Sequence, residues 1–216
     1  MNKNVFKIRL AQTHQQRDEV SMLISKMYTW RGYETSGKVS DQPHRVTLVA
    51  SSNDATLATI TIGFDSLIGL MADELYKSEI DALRRQGKRL CEFVKLAVDE
   101  GVRSKHVLAT IFHLSYIYAR EVQEHADLYV VIEVNPRHVK FYQNMLGFEK
   151  LGGEKINQRV KAPAILLGQG WEYAQRKVQE FGGRPHLATS EKSLYPYFFS
   201  PAEEEQIAQQ LRSVDL

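Results

Sequence analysis

The sequence predicts an α/β (α+β) chain with one main core. Three observations carry this. Strand and helix periodicities alternate along most of the chain, and two β-branched runs flank Ser51-Ser52-Asn53-Asp54, the turn chemistry of an antiparallel hairpin. Residues 127–134 form an almost unbroken apolar run, as expected of a strand covered on both faces.

Taken in order, Phe6, Ile8 and Leu10 alternate with Lys7 and Arg9 in a short strand, and Thr13 N-caps a helix from Gln15 to about Tyr28. A loop from Trp30 to Pro43 follows. Arg45 to Ala50 and Thr56 to Phe64 are the hairpin strands. Leu70 to Gln86 is an amphipathic helix closed by Gly87, and Leu90 to Val98 is the next strand. Ser104 caps a long helix from Lys105 to about Glu124, with Val107, Ile111, Leu114, Tyr118 and Val122 on one face. After the strand from Asp127 to Val134 come a helix from about Arg137 to Met145, a strand from Val160 to Leu167 and a helix from Trp171 to Phe181. Gly182-Gly183-Arg184-Pro185 breaks the pattern, and a short helix opens near Pro201.

With 216 residues, 43% hydrophobic and 25% charged, the chain has the composition of a globular protein with room for one domain and a tail. The formal charge of +2 gives no reason to expect nucleic acid. The single Cys91 excludes an intramolecular disulfide and any multi-cysteine zinc site. Residues 1–11 lack a signal-peptide pattern and no run of about 18 apolar residues occurs, so no transmembrane segment and a cytoplasmic location are expected. His106 and His113 lack the i, i+4 spacing of a zinc pair, and no metal is expected.

The element order, together with Asn135-Pro136-Arg137-His138-Val139-Lys140-Phe141-Tyr142-Gln143-Asn144-Met145-Leu146-Gly147-Phe148, resembles the GNAT superfamily of N-acyltransferases. The resemblance implies a central mixed, twisted sheet with helices on both faces: a GNAT-like acyltransferase domain over residues 1–181, and a tail at 182–216 whose short helix packs on it. The glycine-rich loop with which that superfamily wraps the pyrophosphate of coenzyme A is reduced here to Asp99-Glu100-Gly101-Val102-Arg103-Ser104-Lys105. The strand Leu90-Cys91-Glu92-Phe93-Val94-Lys95-Leu96-Ala97-Val98-Asp99 is similar to the Glu-bearing strand of LuxI-type autoinducer synthases. With Ala162-Pro163-Ala164-Ile165-Leu166-Leu167 and the segment from Ser66 to Asp81, it more closely resembles the FeeM-type N-acyl amino acid synthases. That branch takes acyl groups from acyl carrier protein. The resemblance therefore implies an acyl thioester donor on a 4′-phosphopantetheine arm, a small-molecule amine acceptor such as an amino acid, and no bound metal or redox cofactor. An acetyl-CoA-dependent enzyme and a non-catalytic acyl-binding module are the alternatives.

Glu92 is the first candidate. Strand alternation places it on the face of Leu90, Val94, Leu96 and Val98, where burial raises a carboxylate pKa and suits a general base; an ion-paired strand residue is the competing reading. Tyr142 stands at the family's general-acid spacing from Asn135, one residue displaced from Gly147, and is either the acid for the leaving thiolate or a core tyrosine. Arg103, Ser104 and Lys105 open the long helix where an anion is favoured, and by the family's topology Arg137, His138 and Lys140 emerge at the same edge, giving a docking surface for an acidic carrier. Asp65 orients the amine or caps its loop; Trp30, Arg31 and Tyr33 border the acyl entrance or are ordinary loop residues. The basic run Arg84 to Arg89 reads as a solvated turn.

Overall fold

The computed structural model describes residues 6–34, 37–39, 42–53, 55–102, 104–123 and 128–213. Its strands are β1 (Lys7–Leu10), β2 (Arg45–Ser52), β3 (Ala55–Phe64), β4 (Arg89–Val98), β5 (Leu128–Val134), β6 (Glu149–Lys150), β7 (Lys155–Asn157) and β8 (Ala162–Gly170). The helices are α1 (His14–Trp30), α2 (Asp73–Arg85), α3 (Lys105–Gln123), α4 (Val139–Leu146), α5 (Trp171–Phe181) and α6 (Pro201–Ser213). The sheet order is β1-β2-β3-β4-β5-β8-β6, with β7 paired to another part of β8. Only β4 and β5 run parallel; every other pair is antiparallel. This is the open mixed sheet expected of the GNAT fold.

Local chemistry explains the element ends. The Thr13 hydroxyl accepts from the Gln16 N–H at 3.2 Å while the Gln16 side chain accepts from the Thr13 N–H at 3.1 Å, a capping box that stabilises α1 by about 1 kcal/mol. At the end of α4, Gly147 takes φ 82°, a left-handed conformation that glycine adopts without a side-chain penalty, and Phe148 turns back into the core. The strands β6 and β7 were not anticipated. Two and three residues long, they have too few side chains for alternation to register, and β8 orders them by pairing with both. β8 itself runs to Gly170, three residues beyond its expected end, because β5 pairs with it from Ile165 to Gly170. Asp127 and Glu124, expected to bound β5 and α3, lie outside the described residues.

Each face of the sheet has its own packing. Leu90, Val131 and Leu166 meet Tyr76, Ile80 and Leu83 of α2, and Val49 and Ala97 meet Val20, Leu23, Ile24 and Met27 of α1. The larger core on the other face joins Ile60, Ile62, Cys91, Phe93, Val130 and Ile132 to α3, α5 and three tail residues, Leu194, Tyr195 and Phe198. Buried polar contacts also tie the tail down. The Phe199 N–H donates to Nδ1 of His113 at 3.0 Å, which leaves Nε2 to donate to Glu204 at 3.2 Å, and Arg120 donates to Glu204 at 2.5 Å. No described helix is long and apolar enough to cross a membrane.

Candidate active site

The site begins where two strands separate. The β4–β5 ladder runs from Arg89↔Leu128 to Glu92↔Val131 and stops, so both strands continue with one edge unpaired. On its other side, β4 pairs Ala97 with Thr59 and Val94 with Thr61, which leaves Lys95 and Leu96 facing Ile60 alone. This is a β-bulge, and Lys95 stands in it at φ 53°. The extra residue reverses the alternation. Leu90 packs with the α2 cluster and Ala97 with the α1 cluster, whereas Leu96 and Val98 pack with the opposite core. The simple alternation expected for this strand therefore holds for Leu90, Glu92 and Val94 and fails for Leu96 and Val98.

The gap between the strands opens as a cleft with two lobes. The first, about 400 Å³, extends towards α3 and α4 and is walled by Val98, Val102, Leu108, Phe112, Phe141 and Tyr142, with Arg31, Ser104, Lys105 and His138 also lining it. The second, about 500 Å³, extends towards the start of α2 and the β7–β8 hairpin and is lined by Met71, Asn157, Arg159, Ala162 and Pro163 among others. Tyr28, Tyr33, Val94, Lys95, Glu133, Val134 and Asn135 line both. Those shared residues mark the junction of the lobes.

Glu92 sits in a cross-strand row, Arg45–Gly63–Glu92–Val131, on the α1/α2 face. Gly63 makes the row possible, since a Cβ there would lie 2.9 Å from Cγ and Oε1 of Glu92. Across that glycine, Arg45 reaches Glu92 Oε1 at 3.2 Å. At the start of α2, the Met71 N–H donates to Oε1 at 2.8 Å and the Ala72 N–H to Oε2 at 3.1 Å. The carboxylate is 1% exposed, and burial pushes its pKa up against the opposing pull of Met71, Arg45 and Ala72, with nearby Glu133 adding to the rise. Glu92 is not among the residues lining either lobe; Met71, its donor, lines the second.

Glu133, two residues beyond Val131 and hence on the same face, was missed in the sequence. It accepts from Asn157 Nδ2 at 2.7 Å and from Arg159 Nη2 at 2.8 Å, and burial raises its pKa despite both. A signal was present: a carboxylate inside the apolar run Leu128–Val134 carries the same cost as Glu92 does in its strand.

Of the other expected site residues, Tyr142, Asn135, Ser104, Lys105 and Arg31 line the cleft. The Tyr142 ring packs edge-on against Phe112, Phe141 and Phe148, and burial raises its pKa far above that of a free tyrosine. Asn135 ties the end of β5 to β8, donating to the Pro163 carbonyl at 3.2 Å and accepting from the Arg137 N–H at 3.2 Å. The Ser104 hydroxyl accepts from the His106 N–H at 3.2 Å at the start of α3. Trp30 lines neither lobe; it is 65% exposed beneath the Arg31 guanidinium. Tyr33 accepts from Arg137 at 2.8 Å. Asp65 lies apart from the cleft: Arg84 grips both its oxygens at 2.7 and 2.8 Å and also binds Asp73 and Asp81. Arg84 is thus a clamp between α2 and the loop before it, not a solvated turn residue, because three carboxylates converge on it. Arg103 lies outside the described residues. Among the described residues, no cluster of three or more His, Cys, Asp or Glu could hold a metal ion.

The connection from β4 to α3 has its own chemistry. The Gly101 N–H donates to Oδ1 of Asp99 at 2.9 Å, the Val102 N–H donates to the Asp99 carbonyl at 2.9 Å, and Lys26 pairs with Asp99 at 2.9 Å. Two amides of the turn are satisfied internally, and Asp99 and Glu100 bring negative charge to it.

The sequence model of the N-acyl amino acid synthase FeeM family matches residues 19–169, more than half of the chain. Among solved structures, FeeM, an N-acyl amino acid synthase from uncultured soil microbes, superimposes with a TM-score of 0.68 at 28% identity, covering 78% of this chain and 93% of that one. The AHL synthase LasI (TM-score 0.54, 11% identity, 76% and 90% covered) and ElaA of Escherichia coli (0.53, 13%, 76% and 99%) share the fold. A search of the curated proteins found no match. The matched residues run from α1 to the end of β8 and so include both lobes of the cleft and both buried carboxylates; the chain belongs to the FeeM family of N-acyl amino acid synthases and is an N-acyltransferase.

Proposed function

We propose that this enzyme transfers a long-chain acyl group from the 4′-phosphopantetheine arm of an acyl carrier protein to the amino group of an amino acid. The observation that carries the choice of donor is the β4–α3 turn. A pyrophosphate is held by free backbone N–H groups, and here Gly101 and Val102 spend theirs on Asp99, while the nearby Lys26 is already paired with Asp99 and Glu100. A carrier-bound thioester has a single phosphodiester in place of that diphosphate. Arg31 and Lys105 around the first lobe suit an acidic carrier surface.

In this reading the acyl thioester occupies the apolar first lobe and the amine enters from the second. The amine nitrogen attacks the thioester carbonyl carbon, a C–N bond forms, and the C–S bond breaks. Peptide N–H groups along the unpaired edge of β4 stabilise the oxyanion. Glu92 takes the proton lost by the amine, through water where direct contact is blocked, and Tyr142 supplies one to the departing thiolate. Supporting Glu92 are its burial and the helix-start amides that fix its orientation. One observation favours a second assignment: Glu133 lines both lobes and Glu92 lines neither. Under that assignment Glu133 is the base and Glu92 positions the start of α2.

The donor is tested by incubating the protein with long-chain acyl carrier protein, the matching acyl-CoA and acetyl-CoA, each with a panel of amino acids, and reading products by mass. N-acyl amino acids should form from the carrier thioester with the highest kcat/KM, and that advantage should shrink as salt is added. An acyl-CoA used as well as the carrier thioester, or better, overturns the donor assignment.

A further inference from the structure

At the junction of the two lobes stands a cation with no carboxylate partner among the described residues. Lys95 is only partly exposed, and its Nζ donates to the Lys38 carbonyl at 2.6 Å, yet no carboxylate among the described residues pairs with it. Its neighbours are committed elsewhere. In the second lobe Arg159 is bound to Glu133 at 2.8 Å and to Glu74 at 2.5 Å. Burial and the charge of Arg45 lower the Lys95 pKa, so the fold tolerates this ammonium at a cost.

Position separates Lys95 from the other basic side chains of the cleft. Arg31, Lys105 and His138 line only the first lobe, Lys38 and Arg159 only the second, and Lys95 lines both. The bulge is what places it there: two residues oppose Ile60, and Lys95 takes the left-handed backbone conformation. In a 2-amino acid the carboxylate is attached to the carbon that bears the reacting nitrogen. Once that nitrogen reaches the thioester at the junction, its carboxylate lies at the junction too. Among the basic residues lining the cleft, Lys95 is the one common to both lobes and so stands where that carboxylate lies.

We propose that Lys95 binds the carboxylate of the acceptor and so makes the enzyme select 2-amino carboxylic acids over simple amines. This rests on the acyl-transfer reading above and adds to it the residue that recognises the acceptor's carboxylate.

The test compares kcat and KM for amino acids and their decarboxylated counterparts, leucine against 3-methylbutylamine and tyrosine against tyramine, using the thioester that wild type turns over best. Wild type should prefer the acid of each pair. Lys95→Met should cut that preference about 30-fold through the KM of the acid, the equivalent of one buried charge contact, and Lys95→Arg should restore most of it. An equal loss on acid and amine, an unchanged preference ratio, or a wild type indifferent to the carboxylate overturns the proposal while leaving acyl transfer standing. Absence of transfer from every thioester to every amine overturns both. Thermal melting of each variant separates an unfolded protein from an inactive site, and Lys95→Gln replaces a Met variant that does not fold.

Discussion

A carboxylate in a strand of apolar residues is stable only if the fold supplies donors for it, and Glu92 has three: the amides of Met71 and Ala72 and the guanidinium of Arg45. They fix its orientation without removing the effect of burial, which holds its pKa above the ordinary carboxylate value of about 4.3. A base of this kind must be ionised to act, so kcat/KM should rise with pH through a value above that ordinary one. Glu92→Gln should lower kcat about 100- to 10,000-fold, remove that limb of the pH profile and leave donor binding intact. The comparison with Glu133→Gln is decisive. If the limb survives in Glu92→Gln and vanishes in Glu133→Gln, the base is Glu133.

Among the elements, the sheet row Arg45–Gly63–Glu92 shows how strand register creates a site. Two ladders place a glycine between an arginine and a glutamate, and its missing side chain is the space through which they meet. Gly63→Ala should push the Glu92 side chain from its donors and lower kcat about 10- to 100-fold, with little change in donor KM, as expected for a misplaced catalytic group. Steady-state kinetics alongside thermal melting checks this; a folded Gly63→Ala enzyme of wild-type rate would show that the position of Glu92 does not matter. The bulge belongs to the same scale. By adding one residue to β4 it moves Leu96 and Val98 to the opposite core and presents Lys95 at the junction of the lobes.

For the whole molecule, the tail is part of the body that holds the cleft. Leu194, Tyr195 and Phe198 are buried in the main core, and α6 is fastened to α3 through Glu204, His113 and Arg120. Glu204→Ala leaves the buried histidine and arginine without their acceptor and should destabilise the fold by about 3 kcal/mol. The lock also responds to acid. Burial lowers the His113 pKa, so its contribution is complete above the ordinary histidine value of about 6.5 and is lost as pH falls below it. The Glu204 pKa is lowered as well, once its bonds to His113 and Arg120 outweigh desolvation, so its contribution fades at lower pH still. Denaturant melts of wild type and Glu204→Ala from pH 8 to 5 should show stability falling with acid in both, and falling further in the variant, which lacks the carboxylate that favours the charged imidazole, so that the difference between the two widens. A constant difference would mean that the lock does not titrate.

The sequence by itself determined the elements and their order, because capping, alternation and turn chemistry act within a few residues: Thr13, the hairpin around Asn53, and Gly147 with Phe148 were all legible. It also marked Glu92, since a charge in an apolar strand is visible without any structure. Only the tertiary structure decided what surrounds that charge. The reach of Arg45 across Gly63, the pairing of Glu133 with Asn157 and Arg159, and the capture of Asp65 by Arg84 join residues 18 or more positions apart, and a linear pattern does not record such contacts. The bulge at Lys95 lay beyond the sequence for a related reason. It exists only in the register between two strands, and that register is set by packing on both faces of the sheet at once.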